Sequence, residues 1–484
     1  MLKRHLKIVV INLWLFSLAL LATSCAVNPV SGQRELMLLS ESKEIQLGRQ
    51  ADSQVVQEYG IYDDSNLTNY LNDVYQRLAN LSHRPNLSYR FKILDAAVVN
   101  AFAVPGGYVY FTRGILANLN SEAELAGVMG HEIGHITARH SAQQLSRAQL
   151  AQIGMGVGMI FSETFREFAQ LAQFGIGMLF LSFSRDNERQ ADDLGVEYAS
   201  KAGYDATHMA NFFETLNRMG SSSDRSGLPS WFSTHPDPED RVRAVRTRSR
   251  EWSQKLGMKN LKINRERYLK SLDGLVFGED PRQGYIENNT FYHPTLRFQF
   301  PLPDNWKLQN TQTVIRIMNE KKDAIIMFTI SSARSPEEAA RNFVSKSRAS
   351  VIESRGTSIN RFTAYQLISQ ISSQQGLLRV ISYFIQKSNR VYVFHGLSQL
   401  NRFNSYVPTF RYTMERFNDL NDPKRLNVKP DRIRIRSAPE EGFLRQMLLA
   451  LGTPENNLKA LALLNGKNLD ERVPAKTLLK LVAK

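Results

Sequence analysis

Cysteine is almost missing: the 484 residues contain one, Cys25. A single thiol excludes any disulfide within the chain and any metal site built from thiolates. Long apolar runs are also scarce. The one near the start, IVVINLWLFSLALLA, follows Lys3, Arg4 and Lys7 and ends at Thr23-Ser24-Cys25, which is the charge order and length of a signal peptide, so residues 1–24 are left out of the fold. Acidic residues are outnumbered, 46 against 61 basic, for a formal charge of +15 that becomes +12 once the first 24 residues are removed. In an exported chain that excess points to anionic lipid, cell-wall polymer or a solvated basic face, and not to nucleic acid. Disorder is excluded as well, because 42% of the residues are hydrophobic, enough for two or three domains with cores.

The stretch Leu21-Ala22-Thr23-Ser24-Cys25 resembles a bacterial lipobox, with Ala22 where leucine usually stands. It implies that Cys25 is lipidated and anchors the chain to a membrane at the periplasmic face of the cell envelope; an uncleaved signal anchor is the alternative. Ala26 after the cysteine favours the outer membrane by the same resemblance.

Amphipathic spacing in SESKEIQLGRQADSQVVQEYG and SNLTNYLNDVYQRLANLS predicts a mainly helical segment. Within it, SYRFKILDAAVVNAFAVPGGYVYFTRGIL reads as two strands joined by a turn at Pro105-Gly106-Gly107. The segments AQLAQIGMGVGMIFS and FAQLAQFGIGMLFLSFS, between 148 and 184, read as buried helices in preference to a membrane-dipping hairpin, since a span needs ~20 apolar residues. After a turn-rich stretch at LVFGEDPRQG, the runs LRFQF, TVIRIM, DAIIMFTIS, QLISQIS, LLRVISYFI and RVYVFHGLS predict an antiparallel sheet, accompanied by helices at SPEEAARNFVSKSRA and YVPTFRYTMERF. That order resembles a PsbP-like α/β sandwich. The last residues read strand, helix, helix, strand and resemble a LysM-type module, with Lys476 in place of the glycine usual before the last strand. The expected class is therefore α+β, with a signal at 1–24, a mainly helical domain with a small sheet at 25–275, an antiparallel α/β domain at 285–420 and a βααβ module at 430–484.

The chemistry is concentrated in VMGHEIGHITARH, residues 128–140. HExxH alone arises by accident in roughly one chain in a hundred of this length. On a helix, His131 and His135 share one face and can offer two imidazoles to one ion. A catalytic zinc needs a third protein ligand, and the candidates are Glu188 and Asp192 in NERQADD, again four apart, so that one carboxylate can reach the metal and the other a ligand histidine. Glu132 is placed to take a proton from metal-activated water and return it to a departing amine. His140, five residues beyond His135, is expected to point away from the ligand face. A donor for the developing oxyanion is also required, and His235 in STHPDPEDRV is the candidate.

NPVSGQRELMLLSESKEIQLG, NAFAVPGGYVYFTRGIL, ELAGVMGHEIGHITARH, NERQADDLGVEYASKAGYD and STHPDPEDRV follow in an order that resembles the HtpX-like and BepA-like zinc metalloproteases, relatives of the CAAX prenyl endoproteases, across roughly residues 27–250. The resemblance implies a gluzincin with one zinc ion held by His131, His135 and Glu188, Glu132 as general base, and Asp192 behind a ligand histidine. It further implies that His235 can approach the metal and gate it, and that the strand Asn100-Ala101-Phe102-Ala103 receives an extended substrate. The expected role is endopeptidase work in envelope quality control, on unfolded or misassembled envelope proteins. Two other readings stay open: an envelope-binding or chaperone-like lipoprotein with a gated site, and a peptidoglycan-associated factor acting through the C-terminal module. The chain departs from the family in lacking a thirty-four-residue helical repeat and four clear membrane spans.

Overall fold

The computed structural model describes residues 25–154, 183–222, 231–235, 240–373 and 376–484. The expected signal at 1–24, the apolar stretch from 155 to 182 and residues 236–239 lie outside them. Among the described residues, no helix is long and apolar enough to cross a membrane. The chain divides into two compact units, the first holding residues up to 56, 60–278 and 431–483, the second chiefly 279–430.

In the first unit, a short hairpin of β1 (Cys25–Val27) and β2 (Arg34–Leu36) precedes helices α1 (Glu41–Tyr59) and α2 (Ser65–Asn80). The island after them is three strands rather than the two expected. These are β3 (Arg90–Leu94), β4 (Ala101–Val104) and β5 (Tyr108–Thr112). The turn at Pro105-Gly106-Gly107 joins β4 to β5 as anticipated, and β3 adds itself parallel to β5, giving the order β3-β5-β4. The sequence hid β3 because a parallel neighbour needs no local turn.

Helix α3 (Arg113–Asn118) leads into α4 (Glu122–Thr137), which carries HExxH and is buried along its whole length. Such a helix needs neighbours on every side. One of them, α6 (Arg185–Lys201), follows α5 (His140–Gly154) and approaches backbone to backbone. A Cβ on Gly195 would stand 2.9 Å from His131 N and 3.0 Å from Gly127 O, and one on Gly130 would stand 2.9 Å from Gly195 O. This close crossing is what sets the carboxylates of α6 against the histidines of α4. The unit continues with α7 (His208–Ser222), the short α8 (Trp231–Thr234), α9 (Arg241–Lys255) and α10 (Arg265–Ser271).

The C-terminal residues rejoin this unit. Strands β17 (Arg432–Ser437) and β20 (Leu478–Ala483) pair antiparallel around the helices Leu444–Ala450 and Leu458–Leu464, the strand, helix, helix, strand order of the sequence. Their apolar residues, among them Ile433, Leu444, Leu448 and Leu479, extend the same buried cluster that holds Leu125, Val128 and Met129 of α4. The module therefore shares a core with the HExxH helix. Lys480 of β20 is fully buried and donates to the carbonyls of Ala117 (2.7 Å) and Leu119 (2.9 Å), at the end of α3 just before the Ser121 cap of α4.

The second unit contains a seven-stranded antiparallel sheet in the order β12-β13-β14-β15-β11-β10-β9, built from β9 (Lys307–Asn310), β10 (Val314–Met318), β11 (Ala324–Ser331), β12 (Ser350–Ile359), β13 (Phe362–Ser373), β14 (Gly376–Lys387) and β15 (Arg390–Gln399). The two expected helices are at Pro336–Ser347 and Phe403–Met414. Alternation along β15 sends Val391 and Val393 toward Ala339 and Ala340 of the first helix, and Tyr392 and Phe394 toward Phe410 and Met414 of the second. A four-stranded sheet in the order β16-β8-β7-β6, built from β6 (Tyr285–Glu287), β7 (Thr290–His293), β8 (Phe298–Pro301) and β16 (Asn418–Asp419), adds Phe291, Phe298 and Phe300 to the second of these cores.

Candidate metal centre

Ser121 caps α4 by accepting from Glu124 N, and Ser184 caps α6 by accepting from Asn187 N. With both helices fixed at their starts, His131 and His135 lie one turn apart on α4, and Glu188 projects from the first turn of α6. His131 Nε2 and His135 Nε2 are 3.0 Å apart. Glu188 Oε2 is 3.5 Å from the former and Glu188 Oε1 3.4 Å from the latter. His235, following α8, brings Nδ1 to 3.1 Å from Glu188 Oε1 and 3.3 Å from His131 Nε2. All four residues are buried, and their donor atoms lie within 4.8 Å of one another.

Those separations fit a zinc ion. Tetrahedral coordination at about 2.0–2.1 Å puts neighbouring donors roughly 3.3 Å apart, and two imidazoles with a carboxylate are zinc chemistry. A second observation agrees. Both carboxylate oxygens of Glu132 are buried beside the cluster without a hydrogen-bond partner among the described residues, an arrangement that is costly unless a water or substrate group completes it. Burial raises the Glu132 pKa above the usual range, against the attraction of His235 and His131.

Behind the donors, Asp192 Oδ1 lies 2.8 Å from His131 Nδ1 and accepts from Arg241 Nη2, also at 2.8 Å. Burial opposes the ionised Asp192, but Arg241 and His131 hold its pKa below the ordinary value. Arg241 lies over the Phe213 ring at 3.8 Å and also reaches Glu188 Oε2 at 3.4 Å. Burial likewise opposes the charge on Glu188, which His235, His131 and Arg241 keep ionised to lower pH. His135 is pushed well below its usual pKa by burial and by the neighbouring rings.

The expected site residues converge as a group: His131, Glu132, His135, Glu188, Asp192 and His235 share one buried pocket. His235 stands differently from the expectation of a donor opposite Glu132. Its ring stacks on Trp231 at 4.2 Å, its Nδ1 faces Glu188 and its Nε2 lies 3.6 Å from Glu132 Oε1, so it sits with the metal donors. Asn100, Ala101, Phe102 and Ala103 lie at β4, the edge strand of its sheet, with Phe102 stacked on Tyr110 at 5.0 Å. Cys25 begins β1.

His140 corrects the sequence reading. It is buried, with Nδ1 2.9 Å from His135 Nδ1 and Nε2 2.9 Å from Gln190 Oε1, and burial lowers its pKa to about 4. The expectation assumed a continuous helix. The helix stops at Ala138, and Arg139 takes φ 57°, which turns His140 back onto the ligand. Arg241, Gln190 and Phe183, which stacks on His135 at 4.1 Å, were also missed. Gln190 and Arg241 stand inside the quoted stretches NERQADD and STHPDPEDRV, but neither is a metal-ligand type, and nothing in the sequence pairs Phe183 with His135.

Residues 65–249 match Peptidase family M48. Over 239 residues the chain is 30% identical to the beta-barrel assembly-enhancing protease of Escherichia coli (strain K12), covering 48% of each protein. It is 29% identical over 224 residues to the mitochondrial metalloendopeptidase OMA1 of Schizosaccharomyces pombe, covering 45% of this chain and 64% of that one. The chain thus spans about half the length of the bacterial relative. A solution structure of cyanobacterial PsbP from Synechocystis sp. PCC 6803 matches at 11% identity and a TM-score of 0.24, covering 27% of this chain and 91% of its own, a likeness too slight to bear on function. The two histidines, two glutamates and His235 that meet at one buried point all lie within the segment that matches Peptidase family M48.

Proposed function

We propose that this protein is a zinc-dependent endopeptidase of the cell envelope, anchored to the membrane through lipidated Cys25 and acting on unfolded or misassembled envelope proteins. The observation that carries the reading is the set of buried donors at tetrahedral spacing beside the Glu132 carboxylate, which has no hydrogen-bond partner among the described residues. When bound, zinc supplies Lewis acidity to the scissile carbonyl and to the attacking water. His131, His135 and Glu188 hold the ion. Glu132 accepts the proton of the attacking water and passes it to the departing nitrogen, a role that its burial and raised pKa favour. Asp192 and Arg241 keep the His131 ring in place. Strand β4, which ends the order of its sheet, is where an extended peptide would add through its backbone, which suits a protease that reads shape more than sequence. The name of the bacterial relative, a beta-barrel assembly-enhancing protease, supports proteolysis connected with the assembly of β-barrel proteins.

The test compares wild type with Glu132→Gln for bound zinc and for cleavage of an unfolded model protein. Zinc in both with cleavage only in wild type is the expected result. Absence of zinc from wild type refutes the proposal.

A second reading is a gated site in an envelope-binding lipoprotein. It is favoured by His235, whose Nδ1 takes the fourth donor position that a catalytic site leaves open. His235→Ala is expected to raise cleavage severalfold if the residue gates. Loss of cleavage with zinc retained would assign it to the oxyanion instead. Peptidoglycan binding by 430–484 rests on the resemblance of that module alone, and undiminished sedimentation of a variant lacking those residues with purified wall would remove it.

A further inference from the structure

The two zinc-binding imidazoles must each present an unprotonated Nε2, so something has to fix their hydrogens on Nδ1. For His131 this is Asp192, which accepts from Nδ1. For His135 no carboxylate takes that place among the described residues; its Nδ1 faces the Nδ1 of another histidine. We infer that Gln190 and His140 form a relay that fixes the hydrogen of His135 on Nδ1 and so leaves its Nε2 able to bind the ion. The inference rests on the reading of His135 as a metal ligand.

Two ring nitrogens 2.9 Å apart share one hydrogen, so one donates and the other accepts. The side-chain oxygen of Gln190 lies 2.9 Å from His140 Nε2 and can only accept. His140 Nε2 therefore carries the hydrogen. In the neutral ring Nδ1 is then a lone pair, which accepts from His135 Nδ1–H. The remaining lone pair of His135 is on Nε2, which faces His131 Nε2 at 3.0 Å and Glu188 Oε1 at 3.4 Å. Turning the Gln190 amide over would reverse every donor along the relay and place a hydrogen on His135 Nε2, where no metal bond can form. The relay is enclosed, with Phe183 stacked on the His135 ring and His140 buried. One helix thereby does three things: α6 contributes Glu188 to the ion, Asp192 to His131, and Gln190 through His140 to His135.

Gln190 and His140 are positioning residues, and the test separates donor from acceptor at position 190. The full-length protein in detergent, labelled with 15N at histidine and stripped of metal, is compared as wild type, Gln190→Glu and Gln190→Lys, with His135→Asn to assign the signal. Zinc affinity is measured in parallel by competition with a chromophoric chelator. Wild type and Gln190→Glu, both acceptors, are expected to show His135 protonated on Nδ1 and affinities within about threefold of each other. Gln190→Lys, a donor only, should move the hydrogen to Nε2 and weaken zinc at least tenfold, in the range of other outer-shell losses. An Nε2–H tautomer in wild type overturns the relay. So does a Gln190→Lys protein that keeps the wild-type tautomer, even if its affinity falls through added charge. Failure of wild type to bind zinc would instead refute the metal site and leave the tautomer result to be read by itself.

Discussion

Lys480 offers a test of how far the C-terminal strand supports the HExxH helix. Its ammonium is fully buried and donates to Ala117 O and Leu119 O, beside the start of α4. Lys480→Met keeps most of the stem but deletes both bonds. Charge-assisted bonds of this kind are worth about 1.5 kcal/mol each, with more lost when the acceptors stay buried. That gives about 3 kcal/mol. Burial pushes the Glu124 carboxyl up to about 7 and the Lys480 amine down to about 7, each opposed by the other's charge, so removing Lys480 also changes the charge on Glu124. The thioether recovers part of the total through apolar burial, leaving about 2–3 kcal/mol. Urea unfolding followed by Trp231 and Trp252, both in the first unit, should show that loss, with a fall in Tm of roughly 5–10 °C. Because the two charges interact, Glu124→Gln should be less damaging in the Lys480→Met background than in wild type. A loss below about 1 kcal/mol, or strict additivity, would refute the view that β20 holds the start of the HExxH helix.

Gly195→Ala places a methyl group against His131 N and Gly127 O, so the two helices must separate; the expected cost is about 2 kcal/mol with reduced zinc retention, and a Tm within about 2 °C of wild type would contradict the close crossing. Glu122 accepts from Tyr70, Tyr204 and Asn264, and although burial opposes its charge these partners and Arg267 hold its pKa below the ordinary 4.5. Its contribution to stability is therefore complete above pH 4.5 and lost as the pH falls through its folded pKa. Urea midpoints of wild type and Glu122→Gln should differ by a constant amount from pH 7 to 5 and converge below that, and a difference independent of pH would show that the charge of Glu122 does not matter.

The metal donors were legible because their spacing is local. His131 with His135, and Glu188 with Asp192, are four apart on continuous helices, and a helical period places such pairs without knowledge of the rest of the fold. The same period failed at His140, where Arg139 reverses the chain before the next turn can form. Arg241 gave no sign of its place because its partners, Asp192 and Glu188, lie some fifty residues away. The hairpin at Pro105-Gly106-Gly107 announced itself through its turn, whereas β3, parallel to β5, had no turn to announce it. The burial of Lys480 left no mark in the sequence. In LLKLV a lysine reads as the solvated side of a strand, and only the nearby α3 carbonyls explain its burial.

The chain leaves the first unit after Gly278 and re-enters it at Asp431, and the two crossing points are neighbours: Phe277 N donates to Asp431 O at 2.8 Å, and Val276 bridges Arg432. The second unit is thus an insertion whose ends emerge side by side. For an unstructured loop of about 150 residues, closing those ends costs roughly 3 kcal/mol more than closing one of five residues. If the inserted sheet folds first, its own strands hold the two ends together and most of that difference disappears. Assembly of the first unit would then wait on the insertion, and β20 would complete the support of a helix made some 350 residues earlier.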